Sequence, residues 1–297
     1  MMKPSSSHHR QTNTDHFRVF ADSEVGELQR VLLGPIDHWY MTPPINENER
    51  YFYKYDPPRL DRMKAQQAAF VDVLEREGIA IEWVPPRKDS PQQVFTRDVA
   101  FVIHDTLVVS ALKEPIRRHE TKALNALLAR VESPILHVNA GVLEGGDIML
   151  DGDTIYVGLS IRTDTSGLAW VQEHFGTRYE VRGVRLRPPF LHLDVVFNRV
   201  GERLALIYPD AIEASALEYL QKRYTCFAVT EDEQFHLGTN VVSLSPDTVV
   251  SDPRHERINT WLREQGIRVI EVAYDEIAKL GGAFRCSTCP LIRAPMR

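Results

Sequence analysis

The chain has 297 residues, of which 43% are hydrophobic and 26% charged, a balance typical of a globular protein with a sizeable core. Its net charge of -6 and its lack of a basic stripe argue against nucleic-acid binding and suit a cationic ligand. No apolar run approaches the roughly 20 residues that span a bilayer, and the amino terminus lacks a signal-peptide core. Three cysteines, an odd number, fit a reducing compartment, so we expect a cytosolic protein without membrane partners.

The first 17 residues are polar and without periodicity, and we expect a disordered tail there. A metal-binding role for the neighbouring His8 and His9 is the minor alternative. Residues 18–297 are expected to form a single domain.

The first predicted strand covers residues 28–34, and the clearest helix covers residues 59–77. Leu60, Met63, Phe70 and Leu74 share one face of that helix, and Gly78 is its predicted stop. A short apolar strand, 79–84, follows.

A sequence pattern typical of a β-hairpin then occurs four times: a polar Asp or Asn, an apolar run, a short turn and a second β-branched run. The copies open at Asp98, Asp147, Asp194 and Asn240, which are 49, 47 and 46 residues apart. A spacing this regular indicates a repeat architecture.

Each hairpin is followed by a helix and another strand, so the repeated unit is ββαβ. The predicted helices are 59–77, 119–131, 165–175, 213–223 and 253–265, and the strands after them are 79–84, 134–138, 178–184, 224–229 and 267–272. Five such units around an axis predict an α/β fold, a five-bladed α/β propeller whose last apolar stretch closes the ring. An ordinary open α/β sheet is the alternative.

The repeat has a chemical consequence, since three of its opening residues are aspartates at equivalent positions. A propeller would gather these carboxylates around one central pocket. The alternative is that each charged residue is only the solvated end of a strand.

Near the carboxyl terminus, Cys286 follows two glycines and an arginine, Arg285. Glycines let the backbone approach a ligand closely, and an adjacent arginine can lower the pKa of a thiol. Cysteine is also commonly a small buried core residue. Cys286 and Cys289 form a C-x-x-C motif, but a redox pair normally lies early in its fold, and a structural zinc site needs two further ligands at close spacing that are absent.

Three further motifs contain acids or histidine at repeat openings: Phe95-Thr96-Arg97-Asp98, Leu143-Glu144-Gly145-Gly146-Asp147 and His192-Leu193-Asp194. Alternation along a strand would place His192 and Asp194 on the same face. A structural histidine and a tight glycine turn are the alternatives.

Together, F-T-R-D, L-E-G-G-D, H-L-D and G-G-x-x-R-C resemble the guanidino-group-modifying (pentein) enzymes: arginine deiminase, dimethylarginine dimethylaminohydrolase and glycine amidinotransferase. The resemblance covers about residues 26–293, and the order and spacing of the four motifs make it specific. It implies the five-bladed α/β propeller.

The resemblance implies that Cys286 is the nucleophile, His192 the general acid/base and Glu144 the carboxylate that orients His192. It makes Asp98 and Asp194 the anchors of the guanidinium. These residue types suit the chemistry, because a guanidinium is a planar, permanent cation that carboxylates hold in bidentate pairs. Its central carbon is a poor electrophile and calls for a thiolate, and the departing amine needs a proton.

Two arginines, Arg117 and Arg162, match residues that hold the substrate α-carboxylate in the deiminases and methylarginine hydrolases, which implies an amino-acid substrate. Two solvated surface charges are the alternative. Arg97 departs from the methylarginine hydrolases, which have Glu before the matching Asp, and Asp194 resembles the deiminases and amidinotransferases instead.

The leading hypothesis is a cysteine-dependent hydrolase of arginine metabolism that releases citrulline or ornithine from arginine or a modified arginine. An amidinotransferase is the second hypothesis, and a non-catalytic binding module of the same fold is the third. We expect no cofactor, and a metal-dependent ureohydrolase is disfavoured because the sequence has no D-x-H-x-D cluster. The expected partner is a small guanidino molecule, and a homo-oligomer is compatible with the sequence.

Overall fold

The computed structural model describes residues 14–296. Most of the predicted tail, including His8 and His9, lies outside these residues. Phe17, the last residue of that predicted tail, is buried, and its backbone N–H donates to the carbonyl of Arg130. The folded part therefore begins before residue 18.

The strands form five separate sheets of three strands each, which confirms the predicted propeller of ββαβ units. In each sheet the central strand pairs antiparallel with one neighbour and parallel with the other. Within residues 14–296 the strands β1 to β15 are, in chain order, Leu28–Leu33, Ala80–Trp83, Ala100–Ile103, Thr106–Val109, Ile135–His137, Ile148–Asp151, Thr154–Leu159, Glu180–Arg185, Phe197–Arg199, Leu204–Ile207, Thr225–Ala228, Val242–Ser245, Thr248–Ser251, Arg268–Glu271 and Cys289–Arg293.

The helices connect the two parallel strands of each sheet or lie at the repeat openings. The predicted helix 119–131 is shorter than expected: a 3₁₀ turn, Glu120–Leu124, continues into a single α-helical turn. Helices α1 to α9 of the described residues are, in chain order, Glu47–Tyr55, Leu60–Arg76, Thr96–Val99, Asn125–Leu128, Thr165–Phe175, Ala214–Arg223, Glu231–Phe235, Glu256–Glu264 and Asp275–Ala278.

The ring is closed by strands from the two ends of the chain. Strand β15 pairs antiparallel with β1, and β1 pairs parallel with β2, so the fifth sheet combines residues that are more than 200 positions apart. The predicted closure by the last apolar stretch is thereby confirmed. Cys286 lies three residues before β15, and the closing strand therefore positions it at the hub.

Helix α2 illustrates how local sequence fixes an outer element. Its buried face includes Met63, Phe70 and Leu74, and the Phe70 ring packs edge-on against Phe284, in the loop that leads to Cys286. Gly78 ends the helix with φ of 75°, a conformation that a β-carbon disfavours. No helix among residues 14–296 is both long and apolar enough to span a membrane.

The three repeat openings that are aspartates lie in short helical turns, not at strand ends as predicted, whereas Asn240 lies in no helix. Asp98 lies in α3, and Asp147 and Asp194 lie in the 3₁₀ turns Gly145–Asp147 and Leu193–Val195. The prediction that His192 and Asp194 share a strand face is therefore wrong, because a tight turn points neighbouring side chains in directions that strand alternation does not describe. These turns direct polar side chains to the centre of the ring.

Candidate active site

Most of the predicted site residues line one narrow cavity, which has about 280 Å³ of space including its open mouth. Its lining includes Cys286 and His192, together with Asp98, Arg117 and Arg162. Asp98 and Cys286 are more than 180 residues apart in the sequence, and the ring brings them together. Thiol and imidazole thus face the same space, as the sequence predicted.

Two glycines let the backbone lie directly against these side chains. A methyl group on Gly146 would lie 2.7 Å from the imidazole of His192, and one on Gly282 would lie 2.8 Å from the β-carbon of Cys286. Heavy atoms cannot approach this closely without displacement. The glycines of the L-E-G-G-D and G-G-x-x-R-C motifs are therefore required by packing around the two predicted catalytic groups.

Glu144 lies directly behind His192. Its Oε2 is 2.7 Å from Nε2 of the imidazole, and its Oε1 accepts a hydrogen bond from the backbone N–H of Lys113. Burial disfavours the imidazolium, but Asp98 and the hydrogen bond to Glu144 outweigh burial and raise the pKa of His192 to about 9. At neutral pH the imidazole is therefore protonated and paired with an ionised glutamate.

Replacing Glu144 with glutamine is expected to lower the pKa of His192, because Gln retains an acceptor but loses the negative charge that stabilises the imidazolium. An NMR titration of the histidine ring signals measures the effect. The His192 midpoint should move from about pH 9 to lower pH, while the signal of the exposed His137 stays in place as an internal control. An unchanged His192 midpoint would contradict the assigned pairing.

Asp98 uses only one of its carboxylate oxygens for a hydrogen bond. Oδ2 accepts from Nη1 of Arg117 at 2.6 Å, whereas Oδ1 is buried, lies 3.7 Å from Nδ1 of His192 and has no hydrogen-bond partner among the described residues. A buried carboxylate oxygen without a donor is costly. The free oxygen therefore marks a position where a ligand N–H is favoured.

Arg117 is occupied by protein groups. Besides Asp98, its guanidinium binds both carboxylate oxygens of Glu120, and it donates to the carbonyl of Phe95. Its predicted contact with a substrate carboxylate stays a prediction. In this arrangement the guanidinium is already neutralised by two buried acids.

Arg162 is 2% exposed and makes fewer hydrogen bonds to protein groups than Arg117, although its Nε lies 3.6 Å from Oε1 of Glu114. Nη2 donates to the carbonyl of Ile45, Nη1 lies 3.7 Å from Glu144, and Nε is buried without a hydrogen-bond partner among the described residues. Asn46, next to Ile45, donates to the carbonyl of Leu280. Arg162 therefore connects its side of the cavity to the segment that contains Ile45 and Asn46.

Cys286 is held by its backbone and faces an acid. Its N–H donates to Oδ1 of Asn240 at 3.1 Å, and Sγ lies 3.6 Å from Oδ2 of Asp194. Burial, Asp194 and Asp98 together raise the pKa of the thiol well above its usual value. The thiol is therefore protonated at neutral pH in this arrangement.

Asp194 differs from its predicted placement, since it lies behind Cys286 and does not line the cavity. Its Oδ2 accepts from Nη1 of Arg285 at 2.8 Å, and Arg285 also pairs with the buried Glu24 at 3.1 Å. The Arg285 guanidinium therefore points away from the thiol and fixes Asp194. The prediction that Arg285 lowers the pKa of Cys286 is only partly met, because the acids have the larger effect.

Arg97, the residue that departs from the methylarginine hydrolases, belongs to the same hub. Its guanidinium is 3.9 Å from Glu24, and burial lowers its pKa. Cys289 is also buried there, with Sγ 3.1 Å from the carbonyl of Ala100. Both residues lie behind the cavity and support the hub rather than line the site.

Several residues of the site were missed by the sequence interpretation. Asn240 opens a repeat unit but was given no role, and Asp147 was predicted only as one of the carboxylates around a central pocket. Asp147 accepts from the N–H of Leu193, next to His192, and from the hydroxyl of Ser160. Glu120 and Ile45 carried no motif, and only their three-dimensional position reveals them.

The donor atoms of Asp98, Glu144 and His192 lie within 4.8 Å of one another, close enough to hold a metal ion. Each member is already compensated by protein groups: Asp98 by Arg117, and Glu144 by His192 and the Lys113 N–H. Two guanidinium groups beside the set further disfavour a divalent cation. We interpret these three residues as an acid/base group rather than a metal site. The three cysteines form no disulfide.

Comparison with known proteins shows which family this chain matches. The model of the family described as eukaryotic N,N dimethylarginine dimethylhydrolase matches residues 40–293. The uncharacterized protein YkgA of Bacillus subtilis (strain 168) is 39% identical over 271 residues, which cover 91% of this chain and 94% of YkgA. The arginine deiminase of Listeria welshimeri is 27% identical over 252 residues and 68% of this chain, but the match spans only 62% of the deiminase.

Two solved structures share the fold. SxtG, an amidinotransferase from Microseira wollei in the saxitoxin biosynthetic pathway, has a TM-score of 0.80 at 16% identity over 94% of this chain and 98% of its own. The N-terminal domain of ArgZ, an arginine dihydrolase from the ornithine-ammonia cycle in cyanobacteria, was solved bound to substrate. It has a TM-score of 0.80 at 22% identity over 89% of this chain and 98% of its own.

Five three-stranded sheets around a cysteine, a histidine and a glutamate define a guanidino-group-modifying enzyme of the pentein superfamily, which confirms the resemblance found in the sequence. Within that superfamily the chain belongs to the N,N dimethylarginine dimethylhydrolase family, whose model spans most of its length.

Proposed function

We propose that this protein is a cysteine-dependent hydrolase that cleaves a C–N bond in the guanidino group of arginine or a modified arginine. One observation carries the proposal: the thiol of Cys286, the imidazole of His192 and the unpartnered Oδ1 of Asp98 face one buried cavity. These are a nucleophile, a proton donor and an anchor for a cationic N–H group.

The guanidinium is held first by Asp98, whose free Oδ1 accepts one of its N–H groups. Asp194 lies behind Cys286, with Oδ2 paired to Arg285 and 3.6 Å from the thiol, so it acts on the thiol rather than as a direct contact of the cation. Asp98 and Asp194 are also the acids that raise the pKa of Cys286. A guanidinium bound at Asp98 compensates that negative charge and lies beside the thiol, so substrate binding itself favours loss of the thiol proton to solvent and formation of the thiolate.

The thiolate then attacks the guanidino carbon, and the electron pair of one C=N bond moves to nitrogen. Nε2 of His192 is bound to Glu144, so Nδ1 is the nitrogen that faces the cavity. When the tetrahedral adduct collapses, the departing nitrogen leaves with the C–N electron pair and takes the Nδ1 proton. A positively charged amidino thioether on Cys286 remains.

Water completes the reaction. His192, now neutral, accepts a proton as the water oxygen bonds to carbon, and the C–S bond breaks with its electron pair returning to sulfur. Arginine and one water give citrulline and ammonia, and a methylated arginine gives citrulline and a methylamine. Hydrolysis of citrulline with a second water would give ornithine, ammonia and carbon dioxide.

The comparisons support this choice of chemistry. The matching family is described by a methylarginine hydrolase activity, and the matched Listeria protein is an arginine deiminase. The ArgZ domain has also been solved covalently bound to a reaction intermediate. A single catalytic domain over residues 18–297 and a cytosolic location stay predictions from the sequence.

A substrate panel tests the proposal. We expect turnover of arginine, methylarginines or hydroxyarginine with release of citrulline or ornithine, measured by mass spectrometry of the products. Intact-mass analysis should trap an adduct on Cys286. No turnover and no adduct with any member of the panel would reject hydrolysis and favour a binding module, whereas a new guanidino product with added glycine or lysine would indicate amidino transfer.

The panel also tests the predicted α-carboxylate site. Arg162→Lys keeps the charge but loses the planar guanidinium. It should raise KM for arginine about tenfold, a change of roughly 1.4 kcal/mol, and leave KM for agmatine, which lacks the carboxylate, unchanged. Equal increases for both substrates would contradict a carboxylate contact. Arg117 is a poorer test, because its loss would leave two buried acids unpaired.

A further inference from the structure

A buried group of charged side chains lies behind Cys286, and one of its members, Glu24, has no role in the steps above. Three arginines, Arg97, Arg285 and Arg293, are buried there. Glu24 comes from the segment before β1 and is buried among them. None of these four residues lines the catalytic cavity. We call them the arginine cluster.

The arginine cluster holds more cations than acids. Glu24 pairs with Arg285 at 3.1 Å and lies 3.9 Å from Arg97. Arg293 donates to two backbone carbonyls. Burial and the two neighbouring arginines lower the pKa of Arg293 to about 9, against the attraction of Glu24. Within the cluster, the three cations therefore depend on the single carboxylate of Glu24.

Glu24 is ionised at neutral pH. Burial favours its neutral form, but the three arginines and the backbone N–H of Leu150 outweigh burial and lower the pKa of Glu24 to about 2. The N–H of Leu150 donates to Oε1 at 3.2 Å, and Nε of Arg285 donates to Oε2 at 3.3 Å. The carboxylate is therefore both charged and fixed in place.

Arg285 connects Glu24 to Asp194. Its Nε and Nη2 contact Glu24, whereas its Nη1 donates to Oδ2 of Asp194 at 2.8 Å. Because a guanidinium is planar and rigid, an acid on one edge fixes the direction of the other donors. Asp194 in turn lies 3.6 Å from Sγ of Cys286. A series of three contacts thus joins Glu24 to the thiol.

The charge of Arg285 acts on the thiol in the direction opposite to the acids. Burial, Asp194 and Asp98 raise the pKa of Cys286, and Arg285 lowers it. Glu24 neutralises Arg285, so the acids keep the larger effect. If Glu24 carried no charge, Arg285 would be compensated by Asp194 alone, and the thiolate would form at lower pH.

We propose that Glu24 is a positioning residue that sets the resting charge state of Cys286 through Arg285 and Asp194. The inference rests on the proposed function, which makes Cys286 the nucleophile. Glu24 holds and neutralises Arg285, so that Asp194 faces the thiol and favours the proton on sulfur. The proton is lost to solvent when a cation binds at Asp98. Without a ligand the thiol therefore resists alkylation and oxidation.

Alkylation by iodoacetamide tests the proposal, because only the thiolate reacts and the rate at each pH reports its fraction. The rate at Cys286 is followed from about pH 6 to about pH 11 by mass spectrometry of the peptides. We expect Glu24→Gln, which keeps the shape but loses the charge, to lower the midpoint by at least about one pH unit. Alkylation at about pH 8 then becomes at least roughly tenfold faster. Glu24→Asp retains the charge and should have a midpoint near that of the unmodified protein.

Two controls accompany the measurement. Glu27→Gln removes the same charge from a nearby exposed position and should leave the midpoint of Cys286 unchanged. Cys226 is half-buried on β11, and burial raises its pKa to about 11. Its alkylation rate should be the same in every variant and serves as the internal reference.

A second variant allows for the loss of stability that follows when buried cations lose an acid. Glu24→Gln/Arg97→Gln removes one charge of each sign, and we expect it to fold. The charges that act on the thiol are those of Asp194, Asp98 and Arg285, so the midpoint should still move to lower pH in this variant.

An unmoved midpoint in the folded variants would overturn the proposal, even with a faster rate, because a faster rate alone means easier access to the thiol. Alkylation needs no substrate, so a failure of the proposed hydrolysis would be seen separately in the substrate panel. With active protein, the rising limb of kcat/KM against pH should shift in the same direction as the midpoint, because this ratio reports groups of the free enzyme. A limb that stays in place would overturn the part of Glu24 in the reaction.

Discussion

Replacing Cys286 with serine is expected to lower turnover of the best guanidino substrate by roughly 10⁴-fold or more, the scale seen when a covalent nucleophile is removed. A serine hydroxyl has a higher pKa than a thiol, and nearby Asp194 and Asp98 would raise it further. The thiol is buried at 3% exposure, and serine is smaller, so folding should persist. Steady-state kinetics and a thermal unfolding curve measure the two effects separately.

Cys226→Ser is the matched control for this experiment. Cys226 is the half-buried cysteine on β11, remote from the cavity lining, and its replacement should leave turnover within about twofold of the unmodified protein. Wild-type-like activity in Cys286→Ser would remove the thiol from the mechanism. Equal losses in both serine variants would point to a general structural effect.

Replacing His192 with alanine is expected to reduce turnover about 10³-fold, within the range that general acid/base catalysis contributes. The imidazolium supplies the departing nitrogen with its proton, and its raised pKa keeps it protonated up to about pH 9. Added imidazole should restore part of the activity, because alanine leaves space for a small base beside Glu144. Substrates with a better leaving group should lose less activity than arginine.

His137→Ala, at an exposed position on β5, controls for nonspecific effects of losing a histidine and should retain full activity. A variant His192→Ala that hydrolyses arginine at the normal rate would exclude His192 as the proton donor. So would an equal loss for good and poor leaving groups, since a proton donor matters most when the leaving group is poor.

The architecture was largely readable from the sequence because the repeat is periodic. The openings at Asp98, Asp147, Asp194 and Asn240 are separated by nearly equal intervals, and each interval must contain one unit of the ring. Alternating apolar residues and β-branched runs then placed the hairpins correctly. The pattern did not predict the local backbone at the three aspartate openings, where a single helical turn replaces an extended strand.

The sequence predicted most of the residues that form the site, but not which of them contact one another. The family resemblance implied site roles for Cys286, His192 and Glu144, and the structure brings all three together at the hub. Nothing in the sequence distinguishes an arginine that binds a ligand from one that binds protein, so the capture of Arg117 by Asp98 and Glu120 could not be foreseen. Such contacts depend on groups from different blades and have no local signature.

The closing strand has a consequence for how the protein is made. During translation β1 leaves the ribosome more than 200 residues before its partner β15, so one edge of the first blade stays unpaired throughout that interval. Cys286 can contact Asn240 and Asp194 only once β15 has paired with β1. The nascent chain therefore stays inert until β15 has emerged and paired, and until then we expect chaperones to act at its open edge.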